Sequence, residues 1–400
     1  MGEQATDGDS WDLVVVGAGP AGASTALGAL TTDPSLRVLL VDREGFPRDK
    51  SCGDGIAPHV FDALGTVGVH DAADGWAPLR RLELSRAGSR VQRPLSRPLW
   101  VIPRRVFDAR LVAHATRAGA ELRRHRVRDV HVRHDGVVLD DHVRGRVVVA
   151  ADGAHSVLRP AVGGPPVRRR ALAIRGYVPT PSAGSGRQLI VYGDRRQPSY
   201  AWAFDRGDGL SNVGYGELLG DPGDPPSRAL LLEQLDRLVP GTVEHGSQWR
   251  AHHLPLSPWR WHQPDGRVLL AGDAAGLVNP MTGEGIYYAV ASGILAGRAA
   301  AHAVRSSPAG AGARHRSSVR RLLARHLRHT TVAWRLSSLP PLVDAGIDAA
   351  GRDQRVFDDL VEIGLGRGLI TPRLAGGLVR GLAVRAGIGP DRHPSPTVAA

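Results

Sequence analysis

The sequence predicts an α/β fold in three parts: a strand–helix–strand unit, a second β-sheet and a C-terminal helical subdomain. Three observations predict it. Asp12–Val16 is a short apolar run ending in glycines, Ala21–Leu30 has helical composition, and Arg37–Asp42 is a second apolar run. Segments 76–100 and 166–264 hold short strand-like runs (Ala171–Val178, Leu189–Val191, Tyr200–Phe204, Ser211–Tyr215) broken by Gly, Pro and Asp. From Gly285 onward the chain turns helical, and Val319–Leu327 and Phe357–Ile363 alternate apolar with Arg-rich or acidic positions at helical period.

Taken in order, the polar segment Met1–Ser10 reads as a frayed terminus, and the match of Met1–Thr6 to a myristoylation pattern reads as coincidence. Gly17-Ala18-Gly19-Pro20-Ala21-Gly22 follows the first strand directly and opens the first helix. Its first glycine permits a tight turn, its second lets backbone approach a pyrophosphate, and its third allows close helix–strand packing. Asp42, with Arg43 beside it, ends the second strand, where a carboxylate accepts bonds from a ribose hydroxyl. These elements in this order make a Rossmann-like dinucleotide-binding domain. Between Arg104 and Gly119 the apolar positions Phe107, Leu111, Val112 and Ala115 fall at helical spacing, and Val147–Ala151 follows as a buried strand returning to the first sheet.

Four hundred residues exceed one ordinary hydrophobic core, which implies substructures sharing a bound ligand. The formal charge of +12 is spread along the chain with no stripe or tail, which argues against nucleic acid. Lys50 is the only lysine and Cys52 the only cysteine, so intramolecular disulfides, thiolate zinc sites and cysteine-held iron–sulfur clusters are excluded. His252 and His253 lack a paired ligand pattern, so no metal site is expected. With neither a signal pattern nor eighteen consecutive apolar residues, a cytoplasmic location is expected.

The glycine turn alone leaves NAD and FAD open. The deciding signals lie downstream, where Arg267–Gly276 is a buried strand ending in Gly272-Asp273 and Pro280–Ile286 opens another helix. Asp273 is placed to bond ribityl or pyrophosphate-linked hydroxyls. A helix starting at Gly283, Gly285 and Ile286 points its N–H groups at an anion, and reduced flavin is anionic at N1 and C2=O. The cofactor expected is therefore FAD. Residues 11–75, 101–165 and 265–305 are assigned to an FAD-binding domain, 76–100 and 166–264 to a β-sheet substrate domain, and 306–400 to the helical subdomain.

Gly17–Gly22, Ala151–Arg159, Leu269–Asp273 and Pro280–Ile286 resemble the flavin-binding elements of the para-hydroxybenzoate-hydroxylase-like superfamily. Lys50-Ser51-Cys52-Gly53-Asp54-Gly55, Arg104 with Phe107-Asp108, and Tyr200–Phe204 resemble the geranylgeranyl reductase family. The resemblance implies flavin contacts at Gly17, Gly19, Gly22, Asp42, Arg104, Asp152, Asp273 and the Gly283–Ile286 turn, and places Cys52 and the Tyr200/Trp202/Phe204 face beside the isoalloxazine ring. Two positions depart from the family pattern. Asp54 stands where Cys-Gly-Gly-Gly is usual, and Asp205 where Pro usually follows the Phe.

Tyr200, Trp202 and Phe204 repeat every second residue, so they share one face of a strand, as sheet core or as substrate wall. Lys50 and Cys52 are candidate catalytic residues against the plainer readings of an inherited motif and a small buried hydrophobe. Trp259-Arg260-Trp261 looks like the Trp-x-Trp of flavin halogenases, but it stands directly before the Gly272-Asp273 strand, a different place in the fold.

Two activities follow from the resemblance. One is reduction of a carbon–carbon double bond of an apolar, isoprenoid-like or secondary-metabolite substrate by hydride from flavin N5, with an acid protonating the neighbouring carbon. The other is monooxygenation of an aromatic or olefin, with a redox-neutral role for FAD as a third reading. NAD(P)H or another donor would bind transiently, because there is no second dinucleotide fingerprint. The basic surface admits a peripheral membrane or carrier-protein contact.

Overall fold

The computed structural model describes residues 9–220 and 225–386, so the Met1–Thr6 pattern and all but the last two residues of the polar terminus lie outside the described residues. The first sheet has the strand order Glu121–Arg124, Val38–Asp42, Ser10–Val16, Val143–Ala150, Val137–Leu139, Val130–Val132, and Val268–Leu270 pairs with Val143–Ala150. Its central strands run parallel, with Val14 opposite both Leu39 and Val148, and Leu269 opposite Val149. Parallel strands covered on both faces need apolar residues on both. Val38–Asp42 is buried at every position, which is why it reads as an unbroken apolar run.

Helices Pro20–Thr32 and Ile286–Arg305 lie against each other on this sheet. A Cβ on Gly293 would stand 2.2 Å from the Ala21 carbonyl oxygen, and one on Gly297 2.0 Å from that of Thr25. Contacts that advance together along both helices make them run side by side in one direction. Their N-termini therefore end at the same edge of the sheet.

The second sheet has the order Ser247–Pro255, Arg170–Pro179, Leu210–Leu218, Ser199–Asp205, Arg187–Tyr192, Leu79–Arg86, Ser89–Val101, Gly55–Ile56. Gly55 and Ile56 pair with Val101 and Trp100, so the Lys50–Asp54 loop is strung from the end of the Val38–Asp42 strand to the edge of the other sheet. Segment 166–264 also contains a helix, Arg228–Leu238, that the strand-like patterning of that region does not suggest. Ser227 caps it by accepting from the Leu230 N–H, and Leu231 and Leu235 pack on Ile174, Ala201 and Tyr215.

Helices Ala311–Ser337, Pro340–Arg352, Gln354–Leu365 and Pro372–Arg385 form the C-terminal region. Ile347, Ala350 and Phe357 pack on Leu82, Leu84 and Val91 of the second sheet. Arg86 clamps Asp344 with two hydrogen bonds, and Arg93 donates to the Ala350 and Gly351 carbonyls, fixing these helices over the sheet. Among the described residues, no helix is long and apolar enough to cross a membrane.

Candidate active site

A cavity of about 910 Å³ runs from the glycine turn, between the two sheets, to the C-terminal helices. Gly17, Gly19, Pro20, Ala21, Asp42, Arg43, Lys50, Cys52, Arg104, Asp152, Tyr200, Trp202, Phe204, Asp273, Gly283, Gly285 and Ile286 all line it. Gly22 and Gly272 lie behind the wall. A Cβ on Gly22 would stand 1.7 Å from the Gly17 oxygen, and one on Gly272 3.0 Å from the Ala21 Cβ, so both glycines serve close packing.

The three glycines of the turn are needed for different reasons. Gly17 adopts a φ of +98°, and a Cβ there would meet the Ala151 carbonyl oxygen at 2.3 Å. Gly19 has no backbone crowding, for its nearest neighbours are the tips of Arg48 at 3.4 Å and Arg104 at 4.0 Å. That leaves space for an anion flanked by two guanidiniums and the uncapped N–H groups of Pro20–Thr32. Asp42 Oδ2 accepts from the Ala18 N–H at 2.8 Å, holding the turn against the end of its strand.

At the same end of the sheet, helix Ile286–Arg305 begins at Gly285, which as a glycine offers no side-chain cap of its own. Glu284 turns back instead, and its Oε1 accepts from the Tyr287 N–H at 2.9 Å. Asp273 pairs with Lys50, Oδ2 to Nζ 3.4 Å. Asp152 accepts from the Val157 N–H through Oδ2, while its buried Oδ1 has no partner among the described residues. The orphaned Oδ1, the space before Gly19 and two convergent helix N-termini fit a dinucleotide laid between the two motifs.

Arg104 is buried and clamps Asp108 with bonds of 2.6 and 2.8 Å. Burial alone would lower its pKa, but the Asp108 carboxylate outweighs this and holds it above the ordinary arginine value. Burial pushes the Cys52 thiol up, against a weaker pull from Arg104, so Sγ keeps its proton. His252 is held neutral, lowered to about 4 by burial and by Lys50.

Tyr200, Trp202 and Phe204 share one face, with ring centroids 5.9 and 6.3 Å apart, and that face looks into the cavity. Gly214 lies under the Trp202 ring, where a Cβ would reach Cζ2 at 2.2 Å. The Tyr200 hydroxyl donates to the Thr282 carbonyl, tying the aromatic face to the Gly283–Ile286 turn. Neither Trp259 nor Trp261 lines the cavity.

Sequence reasoning missed Glu284. Burial pushes its carboxyl from the ordinary 4.5 up to about 7, although the Tyr287 and Ile286 N–H groups, Arg104 and His59 pull the other way. A raised carboxyl pKa means that folding favours the neutral form. Its contribution is full below 4.5 and is lost as pH rises through about 7. Asp54, raised to about 6, acts with the same sign. In Glu284→Gln the FAD-free protein should therefore lose stability less steeply across this range, as thermal midpoints against pH will read. Parallel curves for the variant and the parent would assign the slope to other groups.

Related proteins identify the family and the fold. A model of the FAD binding domain matches residues 10–175. A menaquinone reductase of Mycolicibacterium smegmatis is 34% identical over 309 residues, covering 71% of this chain and 75% of that one. A digeranylgeranylglycerophospholipid reductase of Methanopyrus kandleri is 33% identical over 329 residues, covering 74% and 81%. Among solved structures, a geranylgeranyl bacteriochlorophyll reductase-like protein from Thermoplasma acidophilum superposes with a TM-score of 0.74 at 18% identity, over 94% of this chain and 96% of that one. The fold and the cofactor cradle define an FAD-dependent oxidoreductase. At this identity and coverage, the chain belongs to the geranylgeranyl reductase family.

Proposed function

We propose that this protein reduces carbon–carbon double bonds in a long apolar, isoprenoid-like lipid. The observation that carries the reading is the continuation of the cavity beyond the aromatic face. There Leu82, Leu84 and Ile190 of the second sheet face Leu342, Ile347 and Leu360 of the C-terminal helices, an apolar channel for an extended hydrocarbon chain. The names of the relatives, a menaquinone reductase and a digeranylgeranyl lipid reductase, point to the same substrate class.

FAD, when bound, supplies the hydride. The chain's own residues bind and orient. Gly17–Ala21, Asp42 and Arg43 would hold the adenosine and pyrophosphate half, while Arg104, Asp152, Asp273 and the Gly283–Ile286 turn would hold the flavin half. Cys52 presents a protonated Sγ in the cavity wall, and Lys50 steadies Asp273. The aromatic face orients the chain, and the C-terminal helices keep water out of the channel. Electrons come from NAD(P)H or another donor that binds transiently.

A lipid substrate must leave a bilayer. Exposed Leu339 and Val379 stand on the C-terminal region among exposed Arg335, Arg373 and Arg380, which suits contact with an anionic leaflet from the cytoplasmic side.

Anaerobic turnover with a panel of isoprenoid substrates, followed by mass spectrometry, tests the function. Products should gain two hydrogens per reduced double bond. A product formed only in air and heavier by one oxygen would overturn the reading in favour of a monooxygenase. Trp202→Ala is expected to lower turnover at least tenfold while leaving the bound-flavin spectrum unchanged. Loss of folding in that variant would make Trp202 a core residue.

A further inference from the structure

Asp54, the departure from Cys-Gly-Gly-Gly, has a physical reading. Its backbone is left-handed, φ +58°, a conformation that glycine adopts freely and a side chain does not. Its carboxylate is fully buried, and among the described residues Oδ1 has no partner. A glycine here would carry neither cost. What offsets them is a set of bonds that crosses from the loop to the second sheet. Oδ2 accepts from the Tyr177 hydroxyl at 2.6 Å and from Asn212 Nδ2 at 2.8 Å. The same Nδ2 donates to the Cys52 carbonyl at 2.8 Å, and Asn212 Oδ1 accepts from Trp202 Nε1 at 2.8 Å.

Trp202 is therefore held at its one polar atom, and the partner that holds it is oriented by Asp54. An amide that gives both hydrogens to the loop must turn its oxygen toward the indole. On the other side, Gly53 is close enough that a Cβ there would touch Trp202 Nε1 at 3.5 Å and Phe204 at 3.6 Å. Loop and ring thus meet across the cavity wall.

We propose that Asp54 is a positioning residue for the substrate wall: through Asn212 it sets the plane of the Trp202 indole and closes the Cys52–Gly53 loop against it, so that ring and loop form one clamp. This rests on the reading of the aromatic face as the substrate wall. The clamp works by geometry, since the bonds are all accepted by one oxygen and need an acceptor there rather than a charge. Arg175 and Arg104 are the cations that face the carboxylate.

The test uses the holoenzyme and exploits Cys52 as the sole cysteine, so that alkylation by N-ethylmaleimide, followed as a mass shift, reports on this loop alone. Asp54→Gly keeps the backbone conformation and removes only the carboxylate. Its FAD content should be unchanged and its Cys52 alkylation about tenfold faster, the size expected for losing one or two buried hydrogen bonds. The KM for geranylgeranyl diphosphate should rise about fivefold, with kcat within about twofold. Asp54→Asn puts an amide oxygen where Oδ2 stood and should return both readouts to within about twofold of the parent. An alkylation rate unchanged in Asp54→Gly would overturn the clamp, as would an Asn variant that behaves like the Gly variant. Faster alkylation in Asp54→Gly, combined with unaltered turnover in Trp202→Ala, would instead overturn the substrate wall and leave the loop tether standing.

Discussion

Gly22→Ala should yield protein that retains no FAD and unfolds far below the parent. A Cβ there would sit 1.7 Å from the Gly17 carbonyl oxygen and 3.3 Å from Val15 Cγ1. The obstacle is backbone, so no rotamer relieves it, and helix Pro20–Thr32 must lift away from its strand. A cost above ~4 kcal/mol is expected, in the exceptional range for one substitution. Gly19→Ala is the informative contrast. Only the tips of Arg48 and Arg104 come near its Cβ, so the FAD-free protein should change by no more than ~0.5 kcal/mol. FAD affinity should nevertheless drop at least tenfold, because the methyl group enters the space kept for the pyrophosphate. Chemical denaturation with flavin titration reads both quantities. A yellow, stable Gly22→Ala protein would refute the packing account.

Arg104→Ala should destabilise the FAD-free protein by about 3–5 kcal/mol, the usual result of stranding a buried charge. Asp108 has no solvent exposure, and the cation left to it would be Arg48 at 3.5 Å, against the 2.6 and 2.8 Å bonds of Arg104. Removing both charges in Arg104→Met with Asp108→Leu should recover more than ~1 kcal/mol of that loss, because no unpaired ion is left in the interior. FAD retention should stay low in both proteins, since Arg104 itself lines the cavity. Denaturation midpoints for the single and double variants decide it. Strict additivity would mean that the pair contributes nothing as a pair.

How much of this was legible in the sequence follows from distance along the chain. The glycine turn, the helix behind it and Asp42 lie within one local unit, where period and composition report directly on structure. The second half of the cradle was legible because Leu269–Asp273 and Pro280–Ile286 are again contiguous. Asp54 was noticed as a departure, but its meaning was not, for its partners Asn212 and Tyr177 lie 158 and 123 residues away. Asp205 is the simpler case: besides the Gly207 N–H of its own turn it accepts from the Gly186 N–H and the Thr180 hydroxyl, partners 19 and 25 residues away that local pattern does not announce. Glu284 was hidden inside a motif read for its glycines. Helix Arg228–Leu238 has only Leu231, Gln234 and Leu235 buried, too narrow a stripe to stand out among strands. The C-terminal helices were legible as helices, whereas the channel they close depends on which face meets the second sheet.

Helices Pro20–Thr32 and Ile286–Arg305 meet main chain to main chain, with Gly28, Gly293 and Gly297 leaving no layer of side chains between them. Such a seam cannot slide by exchanging rotamers, because there are none to exchange. The two halves of the cofactor cradle are thus welded into one rigid jaw, and the long apolar substrate proposed above cannot be accommodated by parting them. The compliant jaw must be the opposite one, where Arg93 and Arg385 staple the terminal helices to the sheet through exposed contacts that water can replace. Raising the ionic strength should then quicken the exchange of long-chain ligands and leave the grip on the flavin as it was.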